Sequence, residues 1–452
     1  MTTTPFDPAS FQEFRFTTRS LDPDGTVTLG YALGDHTFTE RFTIPVPAGG
    51  LADLARFDGI LALLHWCAGV SYYKTAAPPL VAFDEPGGAP GPAAAALLEA
   101  LYSEGLGEFA VVNALPALPR PSFGAPDRPP LPPAPTDPTR VLVPVGGGKD
   151  SVVALEIVRR AGLPFELFSV RNDEAMQRTE AVAGVPRLIA TRELPLAQLK
   201  QLNAEGALNG HVPITAIVSC IALLTAAANG FDAVALANER SASQGNQVYD
   251  GVEVNHQFSK SARAEALLRA AAAEALPGVQ LFSILRPASE LAIGRAFSHF
   301  PAYHQAFTSC NAIFRLDPDL RAASWCCECP KCRFVFLILA PFLGPDELRA
   351  IFGRALLDEP EQFEGFALLT ATGGHKPFEC VGEEEECLAA IELLADDPAW
   401  AGDEHVVLRR LIDEVLALHG RDPRRAANAL ALNADHAVPA NLIGAATELL
   451  GG

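Results

Sequence analysis

The 452-residue sequence predicts an α/β fold built on a parallel sheet, preceded by a smaller α+β domain and followed by a helical C-terminal region. Two observations carry this expectation. Between residues 140 and 285, short apolar runs alternate with helix-like stretches, the pattern of a parallel sheet with helices on both faces. Before that, residues 11–46 alternate apolar and polar side chains with period two around the turn sequences DPDG and GDH, as an antiparallel meander does.

The elements follow in order. FRFTTRS, TVTLGYAL and HTFTERFTIPV are the strands of the meander. LADLARFDGILALLHWCAGV (51–70) reads as a helix, and SYYK (71–74) after it places Tyr72, Tyr73 and Lys74 to pack against the second domain. Residues 116–138 hold ten prolines, so the segment can be neither helix nor central strand and makes a semi-rigid linker. It divides the chain into an N-terminal domain (1–115), the linker (116–138) and a main domain (139–452). The main domain opens with the strand RVLVPV (140–145) and a helix over 151–162. The strands FELFSV (165–170), RLIAT (187–191), AVALA (233–237) and VQLFSIL (279–285) follow. PITAIVSCIALLTAAANGF (213–231) suits a buried helix, and the chain beyond 333 reads mostly helical.

Composition narrows the class. With 34 basic against 54 acidic residues the formal charge is −20, and no Lys/Arg block offers the basic face a nucleic acid needs. The first residues lack a basic stretch followed by an apolar one, and no apolar run reaches the roughly 20 residues of a membrane span. Nine cysteines, four of them within 326–332, are not the framework of a secreted disulfide protein. The expectation is a cytoplasmic protein with no nucleic-acid or membrane partner.

VLVPVGGGKDSVVALEIV (141–158) is the stretch that carries chemistry: a strand, three glycines, Lys149, Asp150, Ser151, then a helix. A Walker A loop would need Gly at Val143 and Ser or Thr at Asp150, so it fails twice. A dinucleotide fingerprint is met at Gly146 and Gly148, with Ser151 for its third glycine and Asp173 or Glu174 to serve a ribose. Its difficulty is Asp150, whose carboxylate would face a pyrophosphate, an arrangement that calls for a divalent metal between them. The third match is the loop Ser-Gly-Gly-x-Asp-Ser, here with an added Gly and no leading Ser. In such a loop the glycine N–H groups and helix N-terminus hold a pyrophosphate, the Asp holds Mg²⁺, and the Ser bonds a phosphate while capping the helix. GGGKDS therefore resembles the PP-loop of the N-type ATP pyrophosphatases. The resemblance implies a Rossmann-like sheet, ATP and Mg²⁺ as cofactors, and nucleotide binding by Gly146, Gly147, Gly148, Lys149, Asp150 and Ser151.

A second constellation is TSCNAIFRLDPDLRAASWCCECPKCRFVF (308–336). Cys310, Cys326, Cys329 and Cys332 supply the four thiolates of a structural Zn²⁺, similar to the site of cyano-deazaguanine synthase. A metal-free or redox-active cluster is the other reading, and Cys327 is a thiol left over. ANERSASQGN (237–246) and VNHQFSKS (254–261) put Glu239, Asn246, His256 and Lys260 in loops at strand ends, where α/β active sites lie. GGHKPFECVGE (373–383) adds His375, Lys376 and Cys380. The run Glu383–Glu386 reads as the first turn of a helix, and His65, His299 and His405 as structural or surface residues.

Taken in order, SYYK, GGGKDS, NHQFSKS, TSCN, CPKCRFVFLILAPFL and KPFECVGE resemble the UDP-N-acetylmuramoyl-L-alanyl-L-glutamate epimerase family of peptidoglycan synthesis, over about residues 10–450. The resemblance implies conversion of the terminal L-Glu of UDP-MurNAc-L-Ala-L-Glu to D-Glu, with release of AMP and pyrophosphate. By residue type and loop position, the candidates for proton transfer are His256, Lys260, His211, Cys310 and Cys380. A basic cluster including Arg171, Arg263, Arg295 and Lys376 is expected for the substrate's anionic groups, with the N-terminal domain at its UDP-sugar end. The competing classes are a deazaguanine-type or amide-forming ATP pyrophosphatase and a nucleotide-binding regulator without turnover.

Overall fold

In the computed structural model, which describes residues 6–84, 88–245, 247–314, 321–322, 324–374 and 376–452, the period-two segment forms the expected meander. β1 (Glu13–Leu21), β2 (Thr26–Leu33) and β3 (His36–Thr43) pair antiparallel, and β4 (Leu80–Phe83) joins β1 in parallel. Phe14, Phe16, Leu29, Tyr31, Phe38 and Phe42, the large members of the alternation, are all buried. SYYK adds to that aromatic interior. Tyr72 stacks on Tyr31 with ring centroids 4.7 Å apart, and Tyr73 meets Tyr102 edge-on at 4.9 Å. Both tyrosines thus pack with aromatic residues of the N-terminal half, whereas Lys74 reaches the second half, where its Nζ donates to Gly210 O at 3.0 Å.

After the proline-rich segment come β5 (Val141–Pro144), β6 (Phe165–Ser169), β7 (Arg187–Ile189), β8 (Thr191–Glu193), β9 (Ala233–Leu236), the ribbon β10 (Gln247–Tyr249) and β11 (Val252–Val254), and β12 (Gln280–Ser283). Five of these build an all-parallel sheet in the order β12-β9-β5-β6-β7. It is covered on both faces, which explains why its strands read as continuous apolar runs. Val141, Val143 and Ala235 belong to one interior, with the helices Lys149–Arg160 and Glu290–Ser298. Leu142, Val234 and Phe168 belong to the other, with the helices Ile214–Ala228 and Ala262–Ala275. The C-terminal region is helical as expected, and it closes the first interior. Among the described residues no helix is long and apolar enough to cross a membrane.

Two expectations change. The run RLIAT is not one strand. β7 ends at Ile189, the chain crosses at the fully buried Ala190, and β8 pairs antiparallel with β3. The first sheet therefore runs β4-β1-β2-β3-β8. Arg192 of β8 donates from Nε to Glu40 Oε1 at 2.5 Å, offsetting a carboxylate that is fully buried. The partition at 116–138 likewise describes the course of the chain, not its packing. Phe14, Leu64 and Leu97 share an interior with Ile217, Leu268 and Leu142. The apolar face of the meander needs a cover, and helices from beyond the prolines help supply it.

Candidate functional site

Strand order reverses between β5 and β9: the chain continues from β5 to β6 and β7 on one side, and from β9 to β12 on the other. The loops leaving such neighbouring strands diverge and open a crevice at their C-terminal ends, the usual ligand position in an open parallel sheet. A cavity of 330 Å³ lies there. Its wall includes Gly146, Gly148, Asp150 and Ser151 after β5, Asn238 and Glu239 after β9, and Lys260, Lys331 and Cys380 from farther along the chain. A larger hollow, of 510 Å³, is lined in part by the proline-rich segment and has no residue in common with the cavity at the switch point.

The glycine loop is shaped by Gly147, at φ +84°. A Cβ there would stand 2.6 Å from Ala175 Cβ, so two independent constraints demand glycine. Gly147→Ala is expected to lower stability by about 1–3 kcal/mol, read from the midpoint of urea unfolding; an unchanged midpoint would reject this account. Gly148 is the N-cap of the helix Lys149–Arg160 and offers no capping side chain. The capping expected of Ser151 is not seen. As the third helical residue it donates from Oγ to Gly148 O at 2.8 Å.

Lys149 also departs from expectation. Its ammonium does not line the cavity. It is 1% exposed and held beneath the loop between Asp150 Oδ1 and Glu290 Oε2. Lys331 Nζ lies 3.4 Å from the other oxygen of Glu290. Burial alone would raise the Glu290 pKa, but Lys149 and Lys331 outweigh it and hold the carboxylate ionised. Glu386 fixes this arrangement from behind: Oε1 accepts from Glu290 N at 2.9 Å and Ser241 Oγ at 2.5 Å. Its Oε2 accepts from Glu383 N at 2.8 Å, completing the capping box of the helix Glu384–Ala395. The acidic run is thus a helix start, as read. Glu239 is buried in the cavity wall, and burial and the nearby Glu290 push its carboxyl up to about 7.

The proton-transfer candidates form a line leading out from the cavity. Lys260 and Cys380 are in its wall, with Nζ and Sγ 3.7 Å apart. His256 bonds Cys380, and its Nδ1 pairs with Glu108 Oε2. His211 lies behind, its ring 4.4 Å from that of His256. Burial would raise the Cys380 thiol, but Lys260 and His256 bring it down to about 6. Burial would lower His256, but the bonds to Cys380 and Glu108 lift it to about 9. Burial and the charge on His256 push His211 down to about 4, so it is neutral at pH 7. Cys310 stands apart from this line, with the other cysteines.

Cys310, Cys326, Cys329 and Cys332 converge, their sulfurs all within 4.8 Å of one another. The separations are 4.0 Å for Cys310–Cys329, 3.8 Å for Cys326–Cys332 and 3.5 Å for Cys329–Cys332. Four thiolates about 2.3 Å from one zinc would be spaced about 3.8 Å apart, so the set fits a tetrahedral ion. Cys327 is turned away, with Sγ 3.4 Å from Phe352 O.

The four expected basic residues do not gather. Arg171 pairs with Asp173, Arg263 with Glu104, Arg295 bonds Leu450 O, and Lys376 bonds Gln244. The cations in the cavity wall are Lys260 and Lys331 instead. His65 bonds Gly30 O at 2.9 Å, His405 bonds Asp358 at 2.7 Å, and His299 ends a helix, all structural places. Asn246 and His375 lie outside the described residues. Glu108, Glu290 and Lys331 were not foreseen. Only Lys331 left a trace in the sequence, as a cation inside CPKC.

Two family models match the chain: the MurL N-terminal domain over residues 5–284 and the MurL C-terminal domain over 306–425. Among curated proteins it is similar to a UDP-N-acetyl-alpha-D-muramoyl-L-alanyl-L-glutamate epimerase of Salinispora tropica, 45% identical over 89% of this chain and 88% of that one. A protein of the same name from Micromonospora sp. is 45% identical over 89% and 90%. One from Xanthomonas oryzae pv. oryzae is 37% identical over 96% of both. No solved structure matches.

Proposed function

Because the chain belongs to the MurL family, we propose that it inverts the terminal L-Glu of UDP-MurNAc-L-Ala-L-Glu to D-Glu, as a cytoplasmic isomerase of peptidoglycan precursor synthesis with ATP as second substrate. The observation that carries this reading is the 330 Å³ cavity at the switch point, which joins a glycine-rich helix start and Asp150 to Lys260 and Cys380. The glycine loop suits the pyrophosphate of ATP, as in an N-type ATP pyrophosphatase fold. The chemistry explains the need for ATP. Removing the α-proton of a free carboxylate would create a dianion, whereas an adenylated carboxyl gives an enolate that oriented donors can stabilise. Hydrolysis of the adenylate then leaves AMP, pyrophosphate and an inverted centre.

Asp150 and Glu239 are hard oxygen donors in one cavity, the charge of Asp150 adds to the cost of ionising Glu239, and a Mg²⁺ held by them would relieve that repulsion. Magnesium would supply charge neutralisation for the phosphates. The UDP end fits a second cavity, of 410 Å³, lined by Lys74, Arg192, Lys200 and Asn209, from which the chain leads through Gly210 to His211. Pyrophosphate release with and without UDP-MurNAc-L-Ala-L-Glu tests the whole reading. Stimulation with D-Glu formed is the expected result. No stimulation would reject it, and release with unchanged chirality would point to a ligase.

The four cysteines are assigned a structural zinc, which would fix the turn presenting Lys331 to the cavity. Metal analysis is expected to find about one zinc per chain, lost in Cys332→Ser together with a lower unfolding midpoint. A metal-free wild type purified without chelator would reject the assignment.

A further inference from the structure

Cys380, His256 and Glu108 come from three distant stretches of chain and meet at one edge of the cavity. Glu108 is on the helix Gly107–Val112, His256 follows β11, and Cys380 precedes the helix Glu384–Ala395. The sulfur is hydrogen-bonded to His256 and lies 3.7 Å from Lys260 Nζ, while Glu108 takes His256 Nδ1. A thiol, an imidazole and a carboxylate that orients the ring form the order of groups by which proteins hold a reactive thiolate. Of the three, only Cys380 lines the cavity. His256 and Glu108 stand behind it, so a substrate in the cavity meets sulfur first.

Resting on the function proposed above, we propose that Cys380 is the catalytic residue that exchanges the α-proton on one face of the activated glutamyl carbon, with His256 and Glu108 as positioning residues. The thiolate takes the proton: the Cα–H bond breaks, an S–H bond forms, and the electron pair passes to the acyl oxygen as an enolate. The pair then returns to carbon as a proton from water arrives on the opposite face. The thiol then returns its proton to solvent, replacing the one water supplied, so the step balances and no redox partner is involved. Charge supports the geometry. Lys260, His256 and Lys331 favour the thiolate, and His256 is in turn faced by Glu108, His211 and Glu379.

The test runs the full-length enzyme in D₂O with ATP, magnesium and UDP-MurNAc-L-Ala-L-Glu. Cys380→Ala and Cys380→Ser are expected to lose α-deuterium incorporation and D-Glu formation by about 10²–10⁴-fold, the usual weight of a general base. Peptide-stimulated pyrophosphate release should fall less than about 10-fold, since adenylation precedes the missing step. Glu108→Gln should raise the acid limb of the kcat/KM profile for epimerisation, near pH 6 in the wild type, by about one unit. Its imidazolium is then less stable, and the thiolate forms later as pH rises.

Deuterium incorporation that survives in Cys380→Ala would overturn the proposal. So would pyrophosphate release lost in step with epimerisation, which marks a structural role, or an unmoved acid limb in Glu108→Gln. A peptide adduct on Cys380 trapped during turnover would make the sulfur a nucleophile instead. Two zinc ions per chain, falling to one in Glu108→Gln, would make His211, His256 and Glu108 ligands. A wild type that exchanges no α-hydrogen yet releases pyrophosphate with the peptide rejects this assignment. One that releases none rejects the proposed function beneath it.

Discussion

Asp150→Asn is expected to lower ATP-dependent turnover by about 10²–10³-fold, the scale of removing one group that stabilises transition-state charge. The two side chains have nearly the same volume, and Asp150 is 27% exposed, so the loop has no reason to repack. What is lost is a negative charge beside a glycine cradle that, on this reading, receives phosphate. Lys149 loses one partner but keeps Glu290. Pyrophosphate release measured over a series of magnesium concentrations separates the causes. A metal ligand lost should raise the magnesium requirement as well as lower the limiting rate. Wild-type turnover at saturating magnesium would remove Asp150 from the metal and the pyrophosphatase reading of the loop with it.

Glu290→Gln is expected to have the largest effect on stability, about 3–5 kcal/mol, because it leaves buried ammonium groups short of a counter-charge. Lys149 is 1% exposed and Lys331 8%, and both turn to this one carboxylate. The midpoint of urea unfolding at pH 7 reads the loss, and a shift of under 1 kcal/mol would show that the lysines find other partners. The pH dependence has a definite sign. The folded pKa of Glu290 is depressed from 4.5, so its stabilisation is present above about pH 4.5 and is lost as pH falls through the lower folded value. The gap between wild type and variant should therefore narrow in acid and stay level above pH 5.

Local physics was legible, and long-range assembly was not. The parallel strands announced themselves because burial on both faces makes Val141–Pro144 and Ala233–Leu236 apolar at nearly every position. The glycine loop showed because its strand end, its glycines and its helix start are adjacent in the chain. Three of the four converging cysteines lie within 326–332, so their spacing was readable too. Glu108 gave no sign, since nothing in its helix says that a histidine 148 residues later will come to it. Glu290 looked like any acid in a first helical turn. Lys149 reads as a phosphate ligand by motif, yet its side chain is committed to buried carboxylates. β8, the polar triplet TRE, carries no strand signal of its own and owes its form to the waiting edge of β3.

The crossing at Ala190 bears on how this chain matures as it leaves the ribosome. Synthesis delivers β1–β4 first, but the open edge of β3 waits until Thr191–Glu193 has emerged. Its apolar side waits longer, because the helix Ala262–Ala275, whose Glu274 accepts from Ala93 N at 3.2 Å, comes later still. The first third of the polypeptide therefore cannot finish folding on its own schedule. A nascent chain stalled in the proline-rich stretch would present an unpaired strand and an uncovered aromatic layer, the kind of surface that chaperones hold and aggregates recruit.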